Sequence, residues 1–251
     1  MPIKAFAFDV YGTLFDTMSA ELAVEAAFPG HGPFIGGLWR QKQLEYTWQR
    51  SAMGRFANFE TVTREALVYA VRTVRPAVDA RIVDALCAAF DRLALFPEAK
   101  EALGRLGTHR LAVLSNGSST MLATLLSQSG IESLFPVVIG SDTVRAYKPH
   151  PEFYQAAVSA LGLLPEEIAL VSGNGFDLAG ARHFGLATVR IERLSPERLR
   201  LTTRDPASLS PASSFTALRS QIDEFAGAPD HVCQDLLGIV GLADREKALA
   251  S

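Results

Sequence analysis

The sequence predicts a doubly wound α/β fold, a parallel sheet with helices on both faces, carrying an all-helical domain inserted after the first strand. Three observations support this. Five short apolar runs stop abruptly at small, polar or charged residues. Amphipathic segments alternate with these runs over residues 95–195. From about Met18 to Leu93 the chain instead reads as helix nearly throughout. Short runs with few charges suit strands buried on both faces of a parallel sheet. Their alternation with helices implies crossover connections between parallel strands.

The elements follow in order. Ile3–Phe8 is the first strand and leads into Asp9. Ala20–Ala27, Leu38–Met53, Thr63–Val74 and Ala80–Leu93 read as the inserted helices, with turn signals at Pro29-Gly30 and Arg75-Pro76. Arg110–Leu114 is a strand ending in Ser115-Asn116-Gly117. Ser118–Gln128 carries Met121, Leu122, Leu125 and Leu126 at helical spacing, with serine caps before it and Gly130 beyond it. Val137–Ile139 is a third strand, and Pro151–Leu161 a helix with proline in its first turn. Ile168–Val171 leads into Ser172-Gly173-Asn174-Gly175, and a helix over Leu178–Phe184 stops at Gly185. Ala187–Ile191 is the fifth strand. Thr202–Ser214 reads as a surface connection, followed by Phe215–Phe225 and a last strand candidate around His231–Leu237. Residues 1–16 and 95–251 are thus expected to form a Rossmann-like core domain, and residues 17–94 a helical cap domain.

Composition narrows the function classes. At roughly 150 residues per domain, 251 residues make one large or two small domains. A hydrophobic fraction of 48% with 20% charged residues is that of an ordered soluble protein. The net charge of −3, without a basic run, disfavours nucleic acid as a partner. No apolar run approaches the ~18 residues of a membrane span. The first residues enter a strand with no leader-like stretch, so a cytoplasmic protein is expected. Cys87 and Cys233 are far apart and fit two buried thiols in a reducing compartment. The five histidines have no paired metal-ligand spacing, and no G-x-S-x-G elbow accompanies a Ser–His pair. Gly173-Asn174-Gly175 is half of a dinucleotide fingerprint, with Leu178 in place of the third glycine.

In open parallel sheets, ligands bind beyond the carboxyl ends of the strands. Four predicted strands end, directly or shortly afterwards, in polar groups: Asp9, Ser115-Asn116, Lys148 and Ser172-Asn174-Asp177. Their convergence on one sheet edge is an active-site layout. The segment Phe8-Asp9-Val10-Tyr11-Gly12-Thr13-Leu14-Phe15-Asp16 resembles the nucleophile motif of the haloacid dehalogenase superfamily, in which the first Asp forms a covalent ester. Ser115-Asn116-Gly117, Lys148-Pro149 and Ser172–Asp177 fall in the order of its remaining motifs. The resemblance covers roughly residues 1–16 and 95–200, with the helical insertion where such proteins carry a cap.

Two departures from the phosphatases of that superfamily are informative. Tyr11 stands where they have a second Asp, and a phenol near pKa ~10 is a poor acid for a leaving alcohol. Asn174 stands where they supply a carboxylate to Mg²⁺, an ion that favours charged oxygen ligands. The combination resembles the metal-independent L-2-haloacid dehalogenases. Trp39-Arg40-Gln41-Lys42-Gln43-Leu44-Glu45-Tyr46 is similar to their cap helix. Periodicity alone does not choose Arg40 over Arg50 or Arg55; the resemblance does.

The resemblance implies the following chemistry. Asp9 displaces halide from C2 of a short 2-haloalkanoate with inversion, and water then hydrolyses the ester at the Asp9 carbonyl. Nucleophile and substrate are both anions, and two like charges at ~4 Å repel by about 4 kcal/mol at an effective dielectric of 20. No cofactor or metal is implied, so side-chain cations must offset this repulsion. Lys148 is assigned to Asp9, with Thr13 as a hydrogen-bond donor. Arg40, Asn116 and Phe176 are assigned to the halide. Ser115 and backbone N–H groups near Tyr11 and Asn116 are assigned to the substrate carboxylate. Gln41, Leu44, Phe59 and Tyr154 complete the substrate pocket. Asp177 orients or deprotonates the hydrolytic water, positioned by Ser172 and Asn174. Gly173 stands where many relatives have serine, and Ser119 where proline is common. A homodimer is implied by the family. The alternatives are a Mg²⁺-dependent phosphatase or phosphotransferase using Asp9, and a non-catalytic binding protein on the same fold.

Overall fold

The computed structural model describes residues 2–250. Ala5–Phe8 forms strand β1, buried throughout. The chain then makes a two-residue strand β2 (Phe15–Asp16) and enters four helices: α1 (Met18–Ala27), α2 (Gly32–Ala52), α3 (Phe59–Arg72) and α4 (Ala80–Ala89). It returns through β3 (Ala94–Leu95), which pairs antiparallel with β2 and closes a narrow stem beneath the helices. Helix α5 (Ala99–Arg105), strand β4 (Arg110–Leu114) and helix α6 (Ser119–Gln128) follow. Next come β5 (Val137–Ile139), the short α7 (Ser141–Val144) and α8 (Pro151–Leu161). Strand β6 (Ile168–Ser172), α9 (Gly175–Phe184) and β7 (Ala187–Ile191) continue the alternation. Helices α10 (Pro196–Thr202) and α11 (Pro211–Ser220), strand β8 (His231–Cys233) and α12 (Leu237–Ala250) end the chain.

The sheet runs β5-β4-β1-β6-β7-β8, every pair parallel. Chain order reverses at β1, whose two neighbours are β4 and β6. This is the doubly wound arrangement that opens a crevice beyond the strand ends. Alternate residues of each strand face opposite ways. Phe6, Phe8, Leu111, Val113, Ala169 and Val171 join one buried cluster, while Ala5, Ala7, Ala112, Leu114 and Leu170 join the other. Apolar residues at every position, rather than every second one, are what two buried faces require.

Several elements depart from the sequence reading. Helix α2 starts at Gly32 rather than Leu38, because Pro33 in its first turn is pre-set for helix. Helix α9 starts at Gly175, and α4 gives way to a 3-10 turn at Phe90. The stretch read as a surface connection already folds into α11 at Pro211, where Ser210 Oγ accepts from Ser213 N–H. Ser-Pro there is a cap and a first helical residue, not loop chemistry. The last strand stops at Cys233. The two-residue ribbon is too short for any periodicity to reveal. Cys87 and Cys233 are unpaired and half-buried, not buried; burial pushes the Cys87 thiol up to about 11.

Helix α2 packs against α3 and α11, and Trp39 Nε1 donates to Thr63 C=O at 2.8 Å. At Gly37 the α11 backbone comes so close that a Cβ would meet Ala212 N at 2.2 Å and Pro211 C at 2.4 Å. At the adjacent Gly36 it would meet the Glu21 side chain at ordinary contact distance, Cγ at 3.6 Å and Cβ at 4.0 Å. Backbone cannot rotate aside, so Gly37→Ala is expected to lose about 1–3 kcal/mol. Gly36→Ala is expected to gain up to about 1 kcal/mol from helix propensity. Urea denaturation of the two variants checks this: opposite shifts of the midpoint support the close approach, and equal shifts refute it.

Candidate active site

Four strand ends, two helices of the insertion (α2 and α3) and α11 deliver the side chains of the site. After β1 the chain turns on Val10, whose C=O accepts from the N–H groups of Thr13, Leu14 and Phe15. Gly12 takes φ 79° in this turn, which other residues adopt only with strain. The turn carries Thr13 Oγ1 back to donate to Asp9 Oδ2 at 2.8 Å. Asn174, at the N-cap of α9, donates Nδ2 to the same oxygen at 2.7 Å and to Tyr11 C=O at 3.2 Å. Ser172 Oγ lies 3.4 Å from it. Among the described residues Oδ2 therefore takes three donors, whereas Oδ1 takes only the Lys148 ammonium, at 3.4 Å.

Lys148 is shared. Its Nζ lies 2.6 Å from Asp177 Oδ2, and both side chains are fully buried. Tyr154 donates its O–H to Asp177 Oδ1 at 3.0 Å. Burial pushes the Asp177 carboxyl up to about 6, and the Asp9 charge adds to this. The Lys148 charge and the Lys148 and Tyr154 hydrogen bonds act in the opposite direction. The Tyr154 phenol is itself raised well above its ordinary value, first by burial and then by Asp177.

In front of Asp9 lies a cavity of about 20 Å³, room for little more than one water. Among the residues expected at the site, Asp9, Tyr11, Arg40, Leu44, Phe59, Asn116, Asn174 and Phe176 line it. Thr13, Lys148, Ser172, Asp177 and Tyr154 stand behind Asp9 and outside the lining. Ser115 is buried outside the lining, its Oγ accepting from Gly117 N–H at 3.2 Å. Gln41 is half-buried and also lies outside. Gln43 lines the cavity in its place, because positions 40, 43 and 44 share a helix face and 41 points about a quarter turn away. Asn116 Oδ1 accepts from Lys148 N–H at 2.8 Å, which turns the amide so that its NH₂ is left for other partners.

Sequence reasoning also missed Phe215 and Arg219, which line the cavity from α11. Their i, i+4 spacing puts an aromatic ring and a guanidinium on one face, the only signal that could have found them. The Arg40 guanidinium lies 4.9 Å from the Phe90 ring centre and 5.5 Å from that of Phe215. One Arg40 nitrogen donates to Gln43 Oε1, which fixes the head, while Nε has no hydrogen-bond partner among the described residues. Burial, then the nearby Arg219, lowers its pKa to about 10, with Tyr11, Glu21 and Asp9 opposing, so it stays charged at neutral pH. Arg50 by contrast pairs with Glu65 on the surface. The lining carries two cations, Arg40 and Arg219, against one anion, Asp9. That balance suits an anionic ligand. A larger cavity of about 750 Å³ lies alongside and shares the Phe176 wall, where Trp48 meets Phe176 edge-on at 5.6 Å. Among the described residues no group of three His, Cys, Asp or Glu could hold a metal, and no helix is long and apolar enough to cross a membrane.

The haloacid dehalogenase-like hydrolase family matches residues 3–185, from β1 through α9. This chain belongs to that family. It is 44% identical over 232 residues to an (S)-2-haloacid dehalogenase of Xanthobacter autotrophicus, covering 92% of this chain and 90% of that protein. An (S)-2-haloacid dehalogenase of Pseudomonas sp. (strain YL) is 40% identical over 90% of this chain and 96% of its own length. The solved L-2-haloacid dehalogenase from Xanthobacter autotrophicus with chloropropionic acid covalently bound superposes with a TM-score of 0.91. That match is 41% identical and covers 96% of this chain and 98% of that one.

The Asp177 carboxyl carries a pH signature. Against an unfolded value near ~3.9, its raised value means that the folded chain keeps this proton to higher pH. The folded state is therefore favoured at low pH, and the advantage is lost as pH rises from about 4 to about 6. Relative to Asp177→Asn, the protein is expected to lose on the order of 2 kcal/mol across that window, measured by urea denaturation. A difference that stays flat would put Asp177 in the ordinary carboxylate range.

Proposed function

We propose that the protein hydrolyses short-chain L-2-haloalkanoic acids to D-2-hydroxyalkanoic acids and halide, without a metal ion. The observation that carries this reading is the seat of the Asn174 amide. Its Nδ2 lies between Asp9 Oδ2 and Tyr11 C=O, two oxygens of the kind a hard cation would take as ligands. A donor there leaves Asp9 bound as a nucleophile rather than as a metal ligand. Burial also pushes the Tyr11 phenol further above its ordinary value, which weakens it as an acid for phosphate-ester cleavage.

The two oxygens of Asp9 then have different tasks. Oδ1, engaged only by Lys148, attacks C2 of the substrate; the O–C bond forms on one face as the carbon–halogen bond breaks on the other. Halide leaves towards Arg40 and the Asn116 NH₂, with Phe176 as its apolar wall. Ser115 and the backbone N–H groups near Tyr11 and Asn116 hold the substrate carboxylate, while Leu44 and Phe59, with Gln41 nearby, bound the pocket. In the ester, Oδ2 is the carbonyl oxygen. Water attacks the Asp9 carbonyl carbon, and the negative charge that develops on Oδ2 meets the donors Thr13, Asn174 and Ser172. Preorganised donors of this kind are worth about 10²–10³ in rate each. Asp177 receives the water's proton, held in place by Lys148 and Tyr154. Collapse of the adduct expels the alkoxide of the product, which takes the proton of the adduct's remaining hydroxyl. The 2-hydroxy acid leaves, Asp9 is again a carboxylate, and Asp177 then gives up its proton to solvent.

This reading takes residues 17–94 as the cap domain and 1–16 with 95–251 as the core. It also takes the protein as a cytoplasmic homodimer that binds neither nucleic acid nor membrane. The two unpaired cysteines support a reducing compartment. The exposed Leu22, Phe34 and Tyr69 on the inserted helices support a dimer.

The test is turnover of L-2-chloropropionate in excess EDTA. Chloride release with formation of D-2-hydroxypropionate is expected, with a loss of roughly 10³-fold or more in Asp9→Asn. In a single turnover in ¹⁸O-water, the label should enter Asp9 before it reaches product. Mg²⁺-dependent hydrolysis of a phosphate ester with no chloride release would defeat the reading.

A further inference from the structure

Asn174 can stabilise charge on Asp9 Oδ2 only if its amide is turned the right way. A side-chain amide is nearly symmetric in shape, and the flipped form would aim Oδ1 at a carboxylate. Asp9 Oδ2 and Tyr11 C=O are both acceptors, and each takes Nδ2. On the far side Arg219 Nε, a group that can only donate, meets Asn174 Oδ1 at 2.7 Å. Three partners of fixed polarity thus define one orientation.

We propose that Arg219 is a positioning residue for the hydrolytic step: its Nε–H locks the Asn174 amide so that Nδ2 stays on the oxygen that becomes the ester carbonyl. Arg219 lies on α11, beyond residues 3–185, the part matched by the family. The inference rests on the ester mechanism proposed above and adds to it a residue from the C-terminal region.

The seat of Arg219 is built for it. Its Nη2 lies 3.4 Å from Gly12 C=O. A Cβ at Gly12 would sit 1.8 Å from that same nitrogen, so the glycine of the nucleophile turn leaves room for the guanidinium head. On α11 the head also lies 5.5 Å from the Phe215 ring centre, and Phe215 in turn faces Arg40 at the same distance. No carboxylate lies within ion-pair distance of Arg219 among the described residues. Its short contact to a side chain is the one to Asn174.

The chemistry separates two steps. Displacement of halide uses Oδ1 and does not need Asn174 in a fixed orientation. Hydrolysis develops charge on Oδ2 and does. Loss of the Arg219 donor should therefore slow ester hydrolysis much more than halide release.

The variants follow from geometry. Arg219→Met removes the donor. Arg219→Gln removes the charge but puts an amide nitrogen one bond beyond Cδ, where Arg carries Nε. Arg219→Lys keeps the charge without a planar donor at that place. With enzyme in excess over L-2-chloropropionate, chloride and 2-hydroxypropionate are followed separately, and the ester is followed by intact mass. Arg219→Met and Arg219→Gln both remove one cation from the lining and should slow chloride release alike. Relative to chloride release, hydroxy-acid release is expected to fall about 10- to 100-fold in Arg219→Met, and the ester to accumulate. Arg219→Gln should restore that ratio and Arg219→Lys should not. On an Asn174→Ala background, Arg219→Met should change the ratio by less than about twofold, because a residue acting through Asn174 has nothing left to position.

Rescue by Lys but not Gln, equal slowing of both steps, or independent effects of the two mutations would each overturn the proposal. A readout independent of turnover is the Asn174 side-chain amide signal in ¹⁵N-asparagine-labelled protein, assigned by its loss in Asn174→Ala. That signal should move in Arg219→Met and stay in Arg219→Gln. If the wild type releases no chloride while the signal behaves in this way, the dehalogenation reading fails and the positioning role stands. A signal unmoved in Arg219→Met removes the positioning role whatever the activity.

Discussion

A buried carboxylate must be supplied with positive charge or hydrogen-bond donors, or it protonates. Asp9 is almost entirely inside the protein, and the rest of the site is arranged around supplying its two oxygens unequally. One of its oxygens receives Thr13, Ser172 and Asn174, and the other receives only the ammonium of Lys148. That asymmetry sets what the group can do. A carboxylate saturated on both sides would be inert structure, and one engaged on neither would lose its charge to burial.

The sheet topology makes the asymmetry possible. Because chain order reverses at β1, the ends of β4 and β6 flank Asp9 on opposite sides. The β6 side brings Ser172 and Asn174, and α9 then brings Asp177. The β4 side brings Asn116, which accepts from the backbone N–H of Lys148 and so ties the lysine's chain position to the neighbouring loop. Lys148 serves two buried carboxylates at once. Removing either partner would leave the ammonium with a less balanced field, which makes Asp177 part of the charge balance around Asp9.

The core and the polar edge where these groups meet were legible in the sequence for a physical reason. Strands buried on both faces are continuous apolar runs, and polar residues that end such runs have few places to go but the crevice. Asp9, Asn116, Lys148, Ser172, Asn174 and Asp177 all announced themselves in this way. What stayed hidden came from helices. On α2, Gln41 comes from the resemblance, whereas Gln43 shares the face of Arg40 and Leu44 by helical spacing. On α11, Phe215 and Arg219 were unreadable because the segment's cap and first turn look like loop composition. The ribbon of β2 and β3 escaped because two residues hold no period.

The unread helix is also the one that links the two halves of the site. Helix α11 touches α2 so closely at Gly37 that only glycine fits, and α2 carries Arg40. From the same helix Phe215 faces the Arg40 guanidinium, and Arg219 reaches the turn after Asp9. A shift of the inserted helices relative to the sheet is therefore felt by Arg40, Phe215 and Arg219 together. With little more than a water's room in front of Asp9, entry of a haloacid requires the lining side chains to give way. Two buried polar groups there, Tyr11 Oη and Arg40 Nε, have no hydrogen-bond partner among the described residues, and each unpaired group costs about 1–3 kcal/mol. A ligand that accepts from them as the site closes recovers part of that cost, so closure is favoured by an anion more than by a neutral molecule of the same size.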